Sequence, residues 1–253
     1  MMPDPLVAAP RARSLNAWHA LWLVLGYVVA QFLGSVLAGA VWGFGKGFES
    51  ALEGGRTLTG LKPGLGVLAW SVAAGLALGA AWAVYFGGRY AGGALRSPEP
   101  EGVAWRRAAF RAYAVAVLLA VLLMLLAILL EQMYPPDFTR LTGPAEQLAR
   151  SNGLPYTVFL LCVVFIAPPV EEYIFRGVAF AAVTRSFGVP AAVLLTTLAF
   201  ALLHYADKIH YWPGFLLVGA LGLAAVGLRL RYQSLWPGIA LHCCYNGMVL
   251  ALH

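Results

Sequence analysis

Residues 109–130 read AFRAYAVAVLLAVLLMLLAILL, an apolar run whose one charged side chain is that of Arg111. A helix needs about 20 mostly apolar residues to cross the hydrocarbon core of a bilayer. The whole chain of 253 residues is 61% hydrophobic and 11% charged, whereas a soluble domain has about 25% charged residues. The sequence therefore predicts an integral membrane protein rather than a soluble domain.

Six further apolar runs lie on either side of this one. Together the seven runs cover about residues 20–43, 65–86, 109–130, 156–186, 189–205, 213–230 and 235–252. The second run contains Gly75-x-x-x-Gly79, a spacing that permits close helix contact, although a chain rich in Gly and Ala also produces it by composition. We predict an all-α, polytopic transmembrane helical bundle of about seven or eight spans.

The net charge of +6 is spread over the short segments between these runs. No basic face accompanies a nucleic-acid-binding motif, so no nucleic-acid partner is predicted. With the N-terminus in the cytoplasm, eleven of the seventeen Lys and Arg residues lie on the inside, as the positive-inside rule favours. These eleven are Arg11, Arg13, Arg89, Arg96, Arg106, Arg107, Arg111, Arg176, Arg185, Arg229 and Arg231.

The predicted location is a bacterial inner membrane, because abundant Ala, Leu and Arg with little Lys is typical of GC-rich bacterial genomes.

The three cysteines, Cys162, Cys243 and Cys244, all lie in apolar runs. They lack the C-x-x-C spacing of zinc sites, and two adjacent cysteines are poorly placed for an ordinary disulfide. We predict that all three are small core residues.

Two consecutive glutamates, Glu171 and Glu172, lie inside the fourth apolar run and are followed by Arg176. Charged side chains are costly at membrane depth and mark functional sites. Glu172 and Arg176 have the i, i+4 spacing of a helical side-chain pair. Because consecutive helical residues point about 100° apart, Glu171 faces elsewhere and is the candidate general base toward a bound water. The alternative is an ion cluster of all three residues at a helix end.

Two histidines lie in later runs, each one helical turn from a second residue: Phe200 precedes His204, and His242 precedes Asn246. We expect Glu171 to be the polar partner of His204. The imidazole and amide of the second pair can donate hydrogen bonds to a developing oxyanion, or they can join helices. Counting along the spans places His204 near the outer end of its helix and His242 near the inner end. Broken or tilted helices are therefore needed to bring the two histidines together.

Two histidines and a glutamate can also hold zinc with an open position for water. The spacing is not H-E-x-x-H, so the local sequence does not impose a metal site. We predict no cofactor, and zinc is an alternative that is not favoured. The remaining titratable residues near the predicted outer ends are expected to be solvated; they are Asp207, Lys208, His210 and His253.

Three motifs therefore occur in one order: E-E-x-x-x-R at 171–176, F-x-x-x-H at 200–204 and H-x-x-x-N at 242–246. With Leu235-Trp236-Pro237 ahead of the last motif, they resemble the CAAX protease and bacteriocin-processing family, also called the abortive-infection-like or type II CAAX endopeptidase family. The resemblance covers about residues 155–250. It divides the chain into a cytoplasmic tail at 1–19, transmembrane helices of unassigned role at 20–154, and a catalytic transmembrane core at 155–253.

The resemblance implies an intramembrane endopeptidase, a hydrolase of the glutamate-protease or metalloprotease-like kind. By this resemblance Glu171 activates water with the help of His204, and His242 and Asn246 stabilise the oxyanion. The structural supports are then Glu172, Arg176 and Phe200. The implied partners are the lipid bilayer and a membrane-anchored protein or peptide, cleaved at a C-terminal membrane tail, a leader or a prenylated C-terminus. A bacterium favours the first two, and the sequence leaves the oligomeric state open.

The alternative from another functional class is a non-catalytic membrane protein, either a transporter or an immunity or scaffold protein. Buried Glu, His and Arg also suit proton-coupled transport. Transporters of that kind often contain an internal repeat. The two halves of this sequence show no clear repeat, which favours hydrolysis.

Overall fold

The computed structural model of the chain describes residues 15–52, 63–137 and 139–252, apart from the side chain of Asp207. Across these residues the fold is all-helical, as predicted, with no strand. Arg11, Arg13 and His253, which entered the sequence analysis, lie outside the described residues, as does most of the predicted tail.

Ten α-helices follow one another along the described part of the chain. They are α1 (Ala17–Leu52), α2 (Leu65–Ala91), α3 (Phe110–Met133), α4 (Pro144–Ala149), α5 (Gly153–Leu160), α6 (Ala167–Glu172), α7 (Phe180–Leu203), α8 (Tyr205–Lys208), α9 (Trp212–Tyr232) and α10 (Trp236–Leu252). Two π-helical turns, Leu161–Ile166 and Tyr173–Ala179, join α5 to α6 and α6 to α7. The sequence analysis missed α4 and α8, because helices this short carry little hydrophobic periodicity.

Five helical runs among the described residues are long and apolar enough to cross a membrane: Ala17–Leu52, Leu65–Ala94, Phe110–Met133, Gly153–Leu203 and Trp212–Tyr232. The protein is therefore an integral membrane protein. The fourth run has 51 residues, so as a straight helix it would be about 77 Å long, more than twice the thickness of the hydrocarbon core.

This fourth run breaks at Gly188, whose φ is 81°. Glycine adopts that conformation readily because it has no Cβ, and Pro190 has no N–H to continue the helical hydrogen bonds. The break lies at the predicted boundary between the runs 156–186 and 189–205. With the 17-residue α10, the helical segments correspond one to one with the seven predicted runs.

Helices α1 and α2 lie in close contact through their glycines. A Cβ on Gly34 would lie 2.5 Å from the backbone oxygen of Ala74, and one on Gly75 would lie 2.6 Å from that of Gln31. A Cβ on Gly79 would lie 2.8 Å from the ring of Tyr27. The Gly75-x-x-x-Gly79 pattern, which a composition rich in Gly and Ala also produces, therefore marks a helix–helix contact in this protein.

The main hydrophobic core joins α1 and α2 to the later helices. Within it α3 packs against α9 and α10, and α7 packs against α1 and α9. The three cysteines are free, Cys162 being buried and the other two partly buried. Their predicted role as core residues is consistent with these positions.

Candidate active site

The glutamate pair ends α6, a helix of only six residues with a π-helical turn on each side. Pro168 and Pro169 occupy the start of α6. Neither proline has an N–H, so neither can continue the α-helical hydrogen bonds of the preceding turn, and the chain widens there. Wide turns of this kind are frequent at functional sites. Local sequence therefore places Glu171 and Glu172 on an irregular part of an otherwise apolar helix.

Glu172 and Arg176 form the ion pair that their spacing predicts. The Arg176 Nη1 donates to Glu172 Oε1 at 3.1 Å, and the two side chains are 0% and 1% exposed. The guanidinium also lies over the ring of Phe200, 4.1 Å from its centroid. Arg176 thus receives a charge partner and an aromatic face, both of which offset the cost of removing it from water.

His242 lies between the two glutamates. Its Nδ1 is 3.2 Å from Glu172 Oε1, and its Nε2 is 3.8 Å from Glu171 Oε2. Because a carboxylate only accepts hydrogen bonds, the contact with Glu172 assigns the hydrogen to Nδ1 and leaves Nε2 facing Glu171. The sequence analysis expected the two consecutive carboxylates to face different ways. In the structure they approach one imidazole from its two nitrogens.

His204 has a different partner from the one expected. Its Nδ1 is 2.9 Å from the carbonyl oxygen of Phe200, and no hydrogen bond joins it to Glu171 in the described part of the chain. The physical reason is position: α7 ends at Leu203, and carbonyl groups in a last helical turn lack intrahelical donors. The His204 imidazole supplies such a donor.

Phe200 brings the two histidines together. Its ring centroid lies 4.9 Å from that of His204 and 5.6 Å from that of His242, the latter with the rings nearly perpendicular. The sequence analysis placed the histidines toward opposite ends of their spans. In the structure both histidine rings contact the fully buried ring of Phe200. The same ring lies against Arg176, so both histidines are close to the ion pair.

Asn246 lies one turn beyond His242 on α10 and is partly buried. Its Nδ2 donates to the carbonyl oxygen of Val163 at 2.9 Å. Val163 belongs to the π-helical turn Leu161–Ile166, so this bond connects α10 to the segment that leads into α6. One of the two amide hydrogens of Asn246 is used in this way, and the second remains for another acceptor.

Two glycines that the sequence analysis did not select let the ion pair pack. A Cβ on Gly222 of α9 would lie 2.7 Å from Arg176 Nη2, and a Cβ on Gly238 of α10 would lie 3.3 Å from Glu172 Oε2. The only sequence signal was a small residue in an apolar run. With 28 glycines in the chain, that signal does not single out either position.

The same side chains include the residue types that bind zinc. Zinc would require Glu171, His204 and His242, each through an atom that other contacts leave available. Across residues 15–52, 63–137 and 139–252, no group of three or more His, Cys, Asp or Glu side chains is arranged to hold a metal ion.

Comparison with known proteins bears on the same segment. Residues 153–248 match the family model "Type II CAAX prenyl endopeptidase Rce1-like". Over this segment the chain is similar to the type II CAAX endopeptidase family. The match confirms the resemblance that the three motifs indicate, and it contains all seven motif residues.

The type II CAAX endopeptidases are proteases, so the match supports peptidase activity at the level of the family. The matched residues include the buried cluster of Glu171, Glu172, Arg176 and His242. No curated protein and no solved structure matches the chain.

Proposed function

We propose that this protein is an intramembrane endopeptidase that cleaves a membrane-associated protein or peptide with water activated by Glu171. One observation carries the proposal. The Glu171 carboxylate lies 3.8 Å from His242 Nε2 in a buried cluster, and the Glu172–Arg176 ion pair holds that histidine in place. A carboxylate and an imidazole held this close can share one reacting water.

The proposed reaction begins with proton transfer from water to the Glu171 carboxylate. The water oxygen bonds to the carbonyl carbon of the peptide, and the carbonyl oxygen becomes an oxyanion. The tetrahedral intermediate then breaks its C–N bond as Glu171 returns the proton to the leaving amine. Glu171 thus acts first as general base and then as general acid.

Three further side chains have proposed roles in this step. His204 assists Glu171 through its Nε2, because the bond to the Phe200 carbonyl assigns its hydrogen to Nδ1. The second amide hydrogen of Asn246 donates to the oxyanion, and His242 donates to it when its Nε2 carries a proton in addition to that on Nδ1. Glu172, Arg176 and Phe200 position the histidines, which agrees with their contacts.

The proposed setting is a bacterial inner membrane with the N-terminus in the cytoplasm, as the distribution of Lys and Arg favours. The substrate reaches the site through its own attachment to the membrane. Its cleaved segment is a C-terminal membrane tail or a leader, with a prenylated C-terminus as the third candidate. No cofactor is required in this proposal. Metal analysis of the purified protein, together with chelator treatment, tests the zinc alternative.

The test is a comparison of membrane-protein termini in a host that lacks this gene. The host is complemented with the wild type, with Glu171→Gln, or with Glu99→Gln at matched expression. Glu99→Gln is the matched control because Glu99 is exposed in the segment between α2 and α3. We expect new termini with the wild type and the control, and none with Glu171→Gln, because glutamine cannot accept the proton.

Two results would contradict the proposal. Termini that persist with Glu171→Gln would show that Glu171 is not the base. Identical termini with and without the wild-type gene would favour the non-catalytic alternative, and a dependence of transport on the proton gradient would then identify a transporter.

A further inference from the structure

An apolar cavity of about 260 Å³ lies between α2, the segment that joins α2 to α3, and α6. Helix α2 contributes Ala80 and Val84, the joining segment contributes Leu95 and Trp105, and α6 and the turn after it contribute Val170 and Tyr173. Water finds few hydrogen-bond partners in such a space, so apolar cavities stay dry and take up apolar molecules. The cavity is therefore a site for a hydrocarbon group.

The cavity opens toward the bilayer at the depth of the acyl chains. Val84, at its rim, is 69% exposed on α2, which is one of the runs able to cross a membrane. This helix ends at Ala91, and a rise of 1.5 Å per residue places Val84 and Ala80 about 10 and 17 Å from that end. The hydrocarbon core is about 30 Å thick, so the molecules around the cavity are the acyl chains of one leaflet.

Exposed arginines follow the lining residues that lie beyond the end of α2. The Trp105 N–H donates to the Leu95 carbonyl oxygen at 2.8 Å, so these two residues lie side by side. Arg96 and Arg106 come directly after them, and both are exposed. Residues 89–107 contain four arginines and two glutamates, so the net charge here is positive. Basic pockets between membrane helices bind anionic lipid headgroups.

Two tryptophans support the same placement of the headgroup level. The ring of Trp105 lies 5.3 Å from that of Trp236, which begins α10. Tryptophan is enriched where the hydrocarbon core meets water. The end of α2 and the start of α10 therefore lie near the headgroups, with the cavity on the hydrocarbon side of them.

The catalytic cluster occupies another face of α6. Residues three apart on a helix share a face, and Val170 and Tyr173 line the cavity together. Glu171 and Glu172 are not among its lining residues, and both approach His242 instead. A chain in the cavity is thus separated from the reacting groups by α6, which favours a bilayer lipid over the cleaved segment of a substrate as the occupant.

We propose that this cavity binds one acyl chain of an anionic phospholipid, whose phosphate contacts Arg96 and Arg106. The inference does not depend on the proposed function. Bilayer tails are as apolar as leucine, so the acyl chain gains little by leaving the bilayer, and the headgroup decides which lipid binds. Each arginine near the surface strengthens anionic binding by roughly fivefold, so the two arginines predict a preference of roughly thirtyfold.

The first experiment uses the wild-type protein in phosphatidylcholine nanodiscs that contain a phosphatidylglycerol with a photoreactive diazirine in its acyl chain. Mass spectrometry locates the adducts. We expect adducts at the cavity, at Val84 and Val170, and their loss when unlabelled phosphatidylglycerol replaces phosphatidylcholine at constant total lipid. Adducts on α3, where Leu118 and Leu125 are each 57% exposed, are the control and should not change. Cavity adducts that respond no more than those on α3 overturn the proposal.

The second experiment measures the binding of each lipid to the purified protein by native mass spectrometry. Ala80→Leu fills the cavity and should abolish tight binding of one phosphatidylglycerol, without lowering the melting temperature, because filled cavities stabilise. Ala81→Leu is the matched control, since Ala81 is exposed and does not line the cavity. Equal binding by the two folded variants shows that the chain lies elsewhere and overturns the proposal. If Ala80→Leu does not fold, the wild-type labelling still decides.

The headgroup is tested separately, with phosphatidylcholine of the same acyl chains as the reference lipid. Arg96→Gln with Arg106→Gln should weaken phosphatidylglycerol binding by roughly thirtyfold and leave phosphatidylcholine binding unchanged. Arg111→Gln with Arg231→Gln removes two other exposed arginines and should have little effect.

Three results of these tests overturn the proposal. They are equal affinity of the two double variants for phosphatidylglycerol, equal affinity of the wild type for both lipids, and labelling of the cavity by a substrate's membrane segment in place of the lipid. Glu171→Gln should bind phosphatidylglycerol as the wild type does, so the outcome for cleavage does not affect this test.

Discussion

Arg176 is the most deeply buried charge of the site, with a side chain that is 0% exposed. It is held by an ion pair at 3.1 Å to Glu172 and by the ring of Phe200 beneath its guanidinium. An ion pair in such surroundings roughly offsets the cost of its own burial. Replacing only one residue of the pair lowers the stability of the fold, because the remaining charge stays buried without a partner.

We therefore expect Arg176→Met to destabilise the protein by about 3–5 kcal/mol. Replacement of Glu172 in the same chain, as Glu172→Gln with Arg176→Met, should recover part of that loss, because no unpaired charge then remains. Thermal unfolding of the purified protein in detergent measures both effects. The control is Arg107→Met, since Arg107 is exposed, and an Arg176→Met protein as stable as this control would contradict the prediction.

At the scale of elements, α9 supports the ion pair through its backbone. Gly222 lies against Arg176 Nη2 and close to the side chains of Thr197 and Phe200. The absence of a side chain allows α9 to approach α7 and the π-helical turn Tyr173–Ala179, which carries Arg176. A methyl group at this point must displace the guanidinium, the helix, or both.

Gly222→Ala should therefore lower stability by roughly 1–3 kcal/mol, the usual cost of overpacking, and should reduce cleavage by disturbing the contact of His242 with Glu172. Gly219→Ala on the same helix is the matched control, because a Cβ there meets nothing within 4 Å. Both variants are compared in thermal unfolding and in the yield of new termini. Equal stability and equal cleavage for the two alanine variants would contradict the predicted steric conflict between a side chain at position 222 and Arg176.

At the scale of the whole molecule, the segment between α2 and α3 is held on the core by arginines of later helices. Arg229, 1% exposed, donates to the carbonyl oxygens of Pro100 and Gly102 and lies 4.4 Å from the centroid of the Phe180 ring. Arg185 donates to the carbonyl of Glu101 at 3.1 and 3.0 Å. The early helices are thus tied to the matched segment by hydrogen bonds as well as by apolar packing.

This segment also reaches the active-site helix. The ring of Trp105 stacks edge-on against Tyr173, the residue after Glu172, at 5.7 Å, and lies 5.3 Å from that of Trp236 at the start of α10. With α2 and α6, Trp105 borders an apolar cavity of about 260 Å³. A displacement of this segment should therefore change the packing of both α6 and α10.

Arg229→Met should release the segment and raise amide hydrogen exchange in residues 95–106, because the Pro100 and Gly102 carbonyls lose their donor. Arg231→Met, two residues later on the same helix, is the control, since Arg231 is exposed. Hydrogen exchange followed by mass spectrometry measures the segment in both proteins. Equal exchange in the two variants would contradict the role of Arg229.

The sequence by itself determined what depends on local order. Apolar runs of sufficient length gave the all-helical membrane class and the approximate helix ends, because a bilayer requires each span to satisfy its own backbone hydrogen bonds. The i, i+4 spacing predicted the Glu172–Arg176 pair, since such a pair lies on a single turn. The order of the three motifs indicated the family that residues 153–248 match.

Only the tertiary structure decided which distant side chains meet. His242 is 70 residues from Glu172 along the chain, and the hydrogen-bond partner of His204 Nδ1 is the Phe200 carbonyl rather than Glu171. Helix spacing fixes the face on which a residue lies but not the neighbour that covers that face. The neighbours follow from how closely the backbones approach, here at Gly34, Gly75 and Gly79 between α1 and α2 and at Gly222 beside Arg176, and that depends on the packing of the whole bundle.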